Sequence, residues 1–252
     1  MKARTAAARA WHRLPPVRRL IAERDQLRAE LARAKGPAVS DYQYLFVVTY
    51  GRSGSTLLNG LLNSIPGYLI RGENGLVVQY LLKWKRTIQS RQDSHPHMRP
   101  GPRGSWFGLS EYPHDVELER MRALMMTTVL RPGPRARVLG FKEIRWPVKG
   151  TGDLVDFLSE LFPGARFLFN TRNPEDVAQS EWWADAKNPV EQIANRENAW
   201  AVIREDLGDR AFSVHYDDYS NDVDTLRPLW EWLGEPFDRD ALQEVLDTPH
   251  GY

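Results

Sequence analysis

Tyr44-Leu45-Phe46-Val47-Val48-Thr49-Tyr50-Gly51-Arg52-Ser53-Gly54-Ser55-Thr56-Leu57-Leu58-Asn59-Gly60-Leu61-Leu62 is the stretch on which the fold turns. Its first part, Tyr44 to Thr49, is an unbroken apolar run of the buried-strand type. Ser55 to Ser64 has helical spacing and is stopped by Pro66-Gly67. Between them lie two glycines, an arginine and hydroxyl residues. Gly51 and Gly54 permit tight turns and close approach of a ligand. The unpaired amides that open a helix, with the positive end of its dipole, favour a phosphate. Ser53, Ser55 and Thr56 add hydroxyls, and Arg52 adds a cation with planar donors. The plain alternative is a strand–helix turn with a serine cap. The turn is not a Walker A loop, because Ser55 stands where that motif needs a lysine.

The same alternation continues outward. Strands are expected at Tyr68 to Arg71, Arg137 to Lys142, Arg166 to Thr171 and Ala211 to Tyr216. Helices are expected at about Asn74 to Trp84, Val116 to Val129, Asp153 to Phe162, Pro174 to Trp183, Pro189 to Asp206, Asp222 to Leu233 and Arg239 to Leu246. Residues 86–115, rich in Pro, Gly, His, Arg and Ser, read as a long loop or lid. Strands separated by helices imply three α/β/α layers around a central parallel sheet.

Composition narrows the chemistry. The 252 residues suit one sizeable α/β domain. With no cysteine, disulfides, thiolate metal sites and cysteine nucleophiles are excluded. Residues 1–40 carry a net charge of +7 and the remainder −6, so the chain reads as a basic helical extension (1–40) ahead of a mildly acidic domain (41–252). An anion site in that domain must be built locally, and no nucleic-acid partner is expected. The helix at Val17 to Lys35 has at most two weak heptads. It offers a homodimer contact or simply a solvated basic face. No apolar run is long enough to span a membrane, and a cytoplasmic protein is expected.

A second motif is Asn170-Thr171-Arg172-Asn173-Pro174 and onward to Ser180. Arg172 ends a strand, where open α/β sheets bind ligands; on residues alone it is equally a surface arginine. Taken with the Gly51–Thr56 loop, this segment resembles the sulfotransferase family that uses 3'-phosphoadenosine 5'-phosphosulfate (PAPS). The loop is similar to that family's 5′-phosphosulfate loop, and Arg172 and Ser180 match its 3′-phosphate motif. His215-Tyr216-Asp217-Asp218-Tyr219 is similar to the family's Arg-Tyr-Glu-Asp-Leu stretch. It is followed, as there, by Trp232-Leu233-Gly234-Glu235-Pro236-Phe237. The likeness covers roughly residues 42–252. It is nearest the bacterial, carbohydrate and tyrosylprotein branches, whose loops read Arg-Ser-Gly-Ser/Thr-Thr. The cytosolic branch has a loop lysine, so here Arg52 or another cation takes that lysine's role.

The resemblance implies a fold like that of P-loop-containing nucleotide hydrolases and a base near the first helix, a place that Glu73 fills. An acceptor hydroxyl attacks sulfur better as its proton leaves. Glu143 is a second candidate base. Lys142, and beside it Arg145, end a strand where cations stabilise charge developing on the sulfonyl and bridging oxygens. Each also has a bland reading, as a helix-start acid or a surface basic cluster. Trp84, Trp106, Trp182 and Trp183 offer an acceptor wall or ordinary core packing. His95, His97 and His114 lack acidic or cysteine partners, so no metal is expected.

The expected reaction is sulfuryl transfer from PAPS to an acceptor hydroxyl on a glycan, a lipid-linked sugar or a small metabolite. The rivals are a P-loop kinase or NTPase and a non-catalytic nucleotide-fold interaction protein.

Overall fold

The computed structural model describes residues 41–95, 101–180 and 183–248. The basic helix expected before residue 41 lies outside them.

Five strands form one sheet: β1 (Gln43–Val48), β2 (Tyr68–Arg71), β3 (Val138–Glu143), β4 (Arg166–Thr171) and β5 (Ala211–His215). Their order is β2-β3-β1-β4-β5, and every pair is parallel. The helices are α1 (Ser55–Ser64), α2 (Val78–Ser94), α3 (His114–Leu124), α4 (Thr151–Leu161), α5 (Pro174–Ala178), α6 (Pro189–Leu207), α7 (Tyr216–Tyr219), α8 (Arg227–Leu233) and α9 (Arg239–Asp247). All belong to one unit, Tyr42–Tyr252. The chain is a parallel-sheet α/β fold of the expected class.

β1 is apolar on both faces because both are covered. Leu45 and Val47 pack with Leu58, Leu61 and Leu62 of α1 and with Leu229, Trp230 and Leu233 of α8. On the opposite face the Phe46 ring lies 4.9 Å from Phe141, 5.7 Å from Phe167 and 5.8 Å from Phe162. Burial of each such ring contributes about 2–3 kcal/mol, so the central strand is fixed from two sides. After β1 the chain crosses towards β2, whereas β4 leads away to β5. The ends of β1 and β4 therefore flank the switch point where such sheets bind ligands.

Three sequence expectations need correction. α2 starts at Val78 rather than Asn74, because Gly75 and Leu76 are left-handed (φ 71° and 53°) and the Asn74 side chain accepts the Val77 N–H. It then runs on to Ser94, so the first part of the expected 86–115 lid is helix. Lys85 and Arg86 tie that helix to Glu160 and Asp153 of α4. α5 stops after Ala178, so Ser180 lies in a bend and not two turns into a helix. The chain leaves the helix there as the Trp183 indole becomes buried and donates to the Gly51 carbonyl at 3.1 Å. The third is the helix expected over Asp222 to Leu233. It divides into a 3₁₀ turn, Val223–Leu226, and α8, with proline early in α8.

Candidate active site

The turn from β1 into α1 is built from below. The Thr49 and Ser53 hydroxyls lie 2.6 Å apart, and Thr49 also donates to the Asn170 carbonyl. The Asn170 amide donates to the Ser53 carbonyl at 2.9 Å and its Oδ1 accepts the Tyr219 hydroxyl. Thr49, Ser53, Asn170 and Tyr219 are all buried, so this network fixes the loop against β4 and α7. Ser53 is consequently turned inward and does not line the cleft above it.

The upper side of the loop is open. Arg52 and Gly54 are both left-handed, at φ 70° and 75°. A Cβ on Gly54 would lie 1.9 Å from the Tyr216 ring, so only glycine lets that ring close over the loop. No side chain caps α1, and its first residues, Ser55 and Thr56, line the cleft. Such a start suits an anion.

The cleft measures about 810 Å³ and brings together Gly51, Arg52, Gly54, Ser55 and Thr56 with Glu73, Lys142 and Arg172. The C-terminal end of α9 forms a further wall through Leu246 to Thr248. Ser180 is not part of the lining; its hydroxyl donates to the Val177 carbonyl at 2.7 Å. Arg172 lies 4.7 Å above the Tyr216 ring, faces Asp217 at 3.7 Å and donates to the Arg52 carbonyl. It thereby joins the end of β4 to the loop.

Across the cleft the Lys142 ammonium, almost fully buried, donates to Glu73 Oε1 at 2.7 Å. Arg145 Nη1 donates to Glu73 Oε2 at 3.2 Å. The two candidate bases differ sharply. Glu73 is partly exposed and lines the cleft. Glu143 is fully buried and accepts four backbone N–H groups, so its lone pairs are committed.

The aromatic residues are distributed differently from the expected wall. Trp183 supports the loop from within, and Trp84 is exposed, donating to the Tyr112 hydroxyl. Trp106 packs against His95 and Arg91. Trp182 and His97 lie outside the described residues. His114 contacts Gln92 and Glu117. Among the described residues no cluster of three or more His, Asp or Glu is arranged to hold a metal, and no helix is long and apolar enough to cross a membrane.

Sequence reading assigned no role to Tyr50, Asn170, Glu197 or Asp217. Tyr50, Asn170 and Asp217 stood inside the quoted motifs, but their work is done through contacts more than 40 residues away. Glu197 gave no signal at all, being joined to Tyr50 only in space.

A family model for the sulfotransferase family matches residues 44–239, which include the loop, the strand ends and every cleft residue except those on α9. The chain belongs to the sulfotransferase family. Solved structures share its fold. The sulfotransferase domain from the Synechococcus PCC 7002 olefin synthase is 20% identical over 83% of this chain and 79% of that one, with a TM-score of 0.50. The sulfotransferase domain from the curacin biosynthetic pathway is 16% identical over the same two shares, with a TM-score of 0.52. No curated protein matches the chain. As a member of this family the chain is an enzyme of sulfuryl transfer.

Proposed function

We propose that the enzyme takes its sulfuryl group from 3'-phosphoadenosine 5'-phosphosulfate and delivers it to a hydroxyl on a carbohydrate or small metabolite. The observation that carries this reading is the meeting, in one cleft, of an uncapped helix start, the cations Arg52, Lys142 and Arg172, and the Glu73 carboxylate beside Lys142. The Gly51–Thr56 amides and the Ser55 and Thr56 hydroxyls hold the 5′-phosphosulfate, while Ser53 braces the loop from below. Arg172, steadied by Tyr216 and Asp217, takes the 3′-phosphate. Ser180, bonded to its own turn, supports that phosphate only by releasing Val177.

The acceptor oxygen attacks sulfur as its proton passes to Glu73. A new O–S bond forms, and the bond between sulfur and the bridging oxygen breaks. Adenosine 3′,5′-bisphosphate leaves with the electron pair. Lys142 and Arg52 stabilise charge on the sulfonyl and bridging oxygens. The Lys142–Glu73 contact of 2.7 Å keeps base and cation on the same side of the cleft before substrate arrives. The polar lining contributed by Glu73 and Lys142 suits a hydroxyl-rich acceptor better than a purely apolar phenol.

Transfer of label from the sulfonate donor to a panel of glycans and small hydroxylated metabolites tests the reaction. Calorimetry with adenosine 3′,5′-bisphosphate tests the donor. Absence of bisphosphate binding, or binding of Mg-ATP more tightly than bisphosphate, overturns the reading.

A further inference from the structure

Glu143 has no exposure to solvent, yet it carries a carboxylate with no cation in hydrogen-bond contact. Its nearest charge is Arg145 Nη1, 3.6 Å from Oε1. A buried carboxylate is costly unless each oxygen is satisfied. Here the backbone satisfies both. Oε2 accepts the N–H of Asn74 at 3.0 Å and of Leu76 at 2.8 Å. Oε1 accepts the N–H of Ile144 at 2.8 Å and of Arg145 at 3.1 Å.

The two pairs of amides come from different places. Asn74 and Leu76 follow Glu73 by one and three residues. Ile144 and Arg145 follow Lys142 by two and three residues. Successive left-handed residues, Gly75 at φ 71° and Leu76 at φ 53°, turn the first pair inward into a small concavity that fits an anion. Glu143 is thus the anion of an internal nest, and through it the Glu73 segment is fastened to the end of β3. Lys142 and Glu73 are held at their 2.7 Å spacing by this link as well as by their own attraction.

We propose that Glu143 is the positioning residue for the base. It sets the Glu73 carboxylate relative to Lys142 and takes no proton from substrate. This rests on the reading of Glu73 as base. Glutamine at 143 keeps the shape but would point an amide N–H at two of the N–H groups, so the Glu73 segment would move. A shift of about 1 Å at a reacting group costs on the order of 100-fold in rate.

Steady-state kinetics and bisphosphate calorimetry on Glu143→Gln, Glu73→Gln and the double variant test the idea. The expected result is a fall in kcat of about 10–100-fold for Glu143→Gln, with bisphosphate affinity unchanged within about twofold. In the Glu73→Gln background, adding Glu143→Gln costs nothing further. Should Glu143→Gln fold poorly, Gly75→Val asks the same question from the exposed side. A Cβ at 75 meets nothing within 4 Å, so only the left-handed backbone is strained. Its kcat should fall by at least about fivefold with bisphosphate affinity kept. If Glu73→Gln retains full kcat, the base assignment fails. If Glu73→Gln loses kcat while both Glu143→Gln and Gly75→Val keep it, the positioning inference alone fails. It also fails if the Glu143 and Glu73 losses multiply in the double variant, or if bisphosphate binding falls in step with kcat.

Discussion

The Tyr50 hydroxyl accepts the backbone N–H of Arg172 at 2.9 Å, across the gap between the ends of β1 and β4. The same hydroxyl donates to Glu197 Oε1 of α6 at 2.6 Å. Burial, reinforced by Glu197, raises its pKa far above the ordinary tyrosine range, so it remains a donor at any working pH. Tyr50 immediately precedes the proposed phosphosulfate loop, and Arg172 is the proposed 3′-phosphate ligand. One phenol therefore ties together the two proposed anion sites. Tyr50→Phe leaves an N–H and a carboxylate without their partner, an effect of about 1–3 kcal/mol. We expect affinity for adenosine 3′,5′-bisphosphate to fall about tenfold while affinity for adenosine 5′-phosphate is kept. Calorimetry with both nucleotides reads the difference. Equal losses for the two would show that Tyr50 serves the fold in general and not the 3′ site.

Gly54 carries a second prediction. Alanine there meets the Tyr216 ring at 1.9 Å and must also hold φ at 75°. The ring has to move, and with it the face on which Arg172 rests. Gly54→Ala should lower stability by about 1–3 kcal/mol and weaken bisphosphate binding by at least about tenfold, as measured by urea unfolding and calorimetry. Unchanged affinity would mean that Tyr216 does not help hold Arg172 in the bound state.

These two residues show what was legible in the sequence. β1, α1, β2 and β4 could be read to within a residue because their signals are local: apolar runs, Pro66-Gly67 as a stop, and Pro174 as a helix start. Gly51, Arg52, Gly54, Ser55, Thr56, Glu73, Lys142 and Arg172 were singled out from the sequence, and the structure brings them to one cleft. Tyr50 and Asn170 were not, since their partners are 147 and 49 residues away along the chain. Glu143 looked like a rival base because a carboxylate beside a lysine has that chemistry. Only the fold reveals that four amides occupy it. The early end of α5 was hidden for a similar reason, being imposed by the docking of Trp183 under the loop.

The cluster formed by Arg137, Glu235 and Tyr68 predicts how stability depends on pH. Arg137 donates to both Glu235 oxygens, at 2.7 and 2.6 Å, and this contact lowers the Glu235 pKa. A depressed carboxylate pKa gives stability that is present above the unfolded value, about 4.3, and is lost as pH falls through the folded one. Burial, helped by the Glu235 charge, pushes Tyr68 up to about 12. A raised tyrosine pKa gives stability that is complete below the unfolded value, about 10, and is lost as pH rises from there through the folded value. Its size is at most about 2–3 kcal/mol. Urea unfolding across pH should show Glu235→Gln flattening the acid limb and Tyr68→Phe the alkaline limb. A wild-type acid limb retained in Glu235→Gln would place that dependence elsewhere.

Arg52 combines two properties that a single substitution can separate. Its backbone is left-handed at φ 70°, which costs a non-glycine residue about 1–2 kcal/mol. Its guanidinium is exposed at the cleft. Glycine accepts the same backbone without strain and removes only the side chain. Arg52→Gly should therefore be as stable as the wild type or slightly more so. If the guanidinium stabilises charge on the bridging oxygen, kcat should fall about 100–1000-fold, while the bisphosphate product, which carries no sulfonyl group, still binds within a few fold. Arg52→Lys should restore part of kcat at the cost of renewed backbone strain. Thermal unfolding, calorimetry and single-turnover transfer separate the three effects. Were Arg52→Gly to keep kcat and lose bisphosphate affinity, Arg52 would be a ground-state phosphate ligand, and Lys142 would be left as the cation that acts on the departing oxygen.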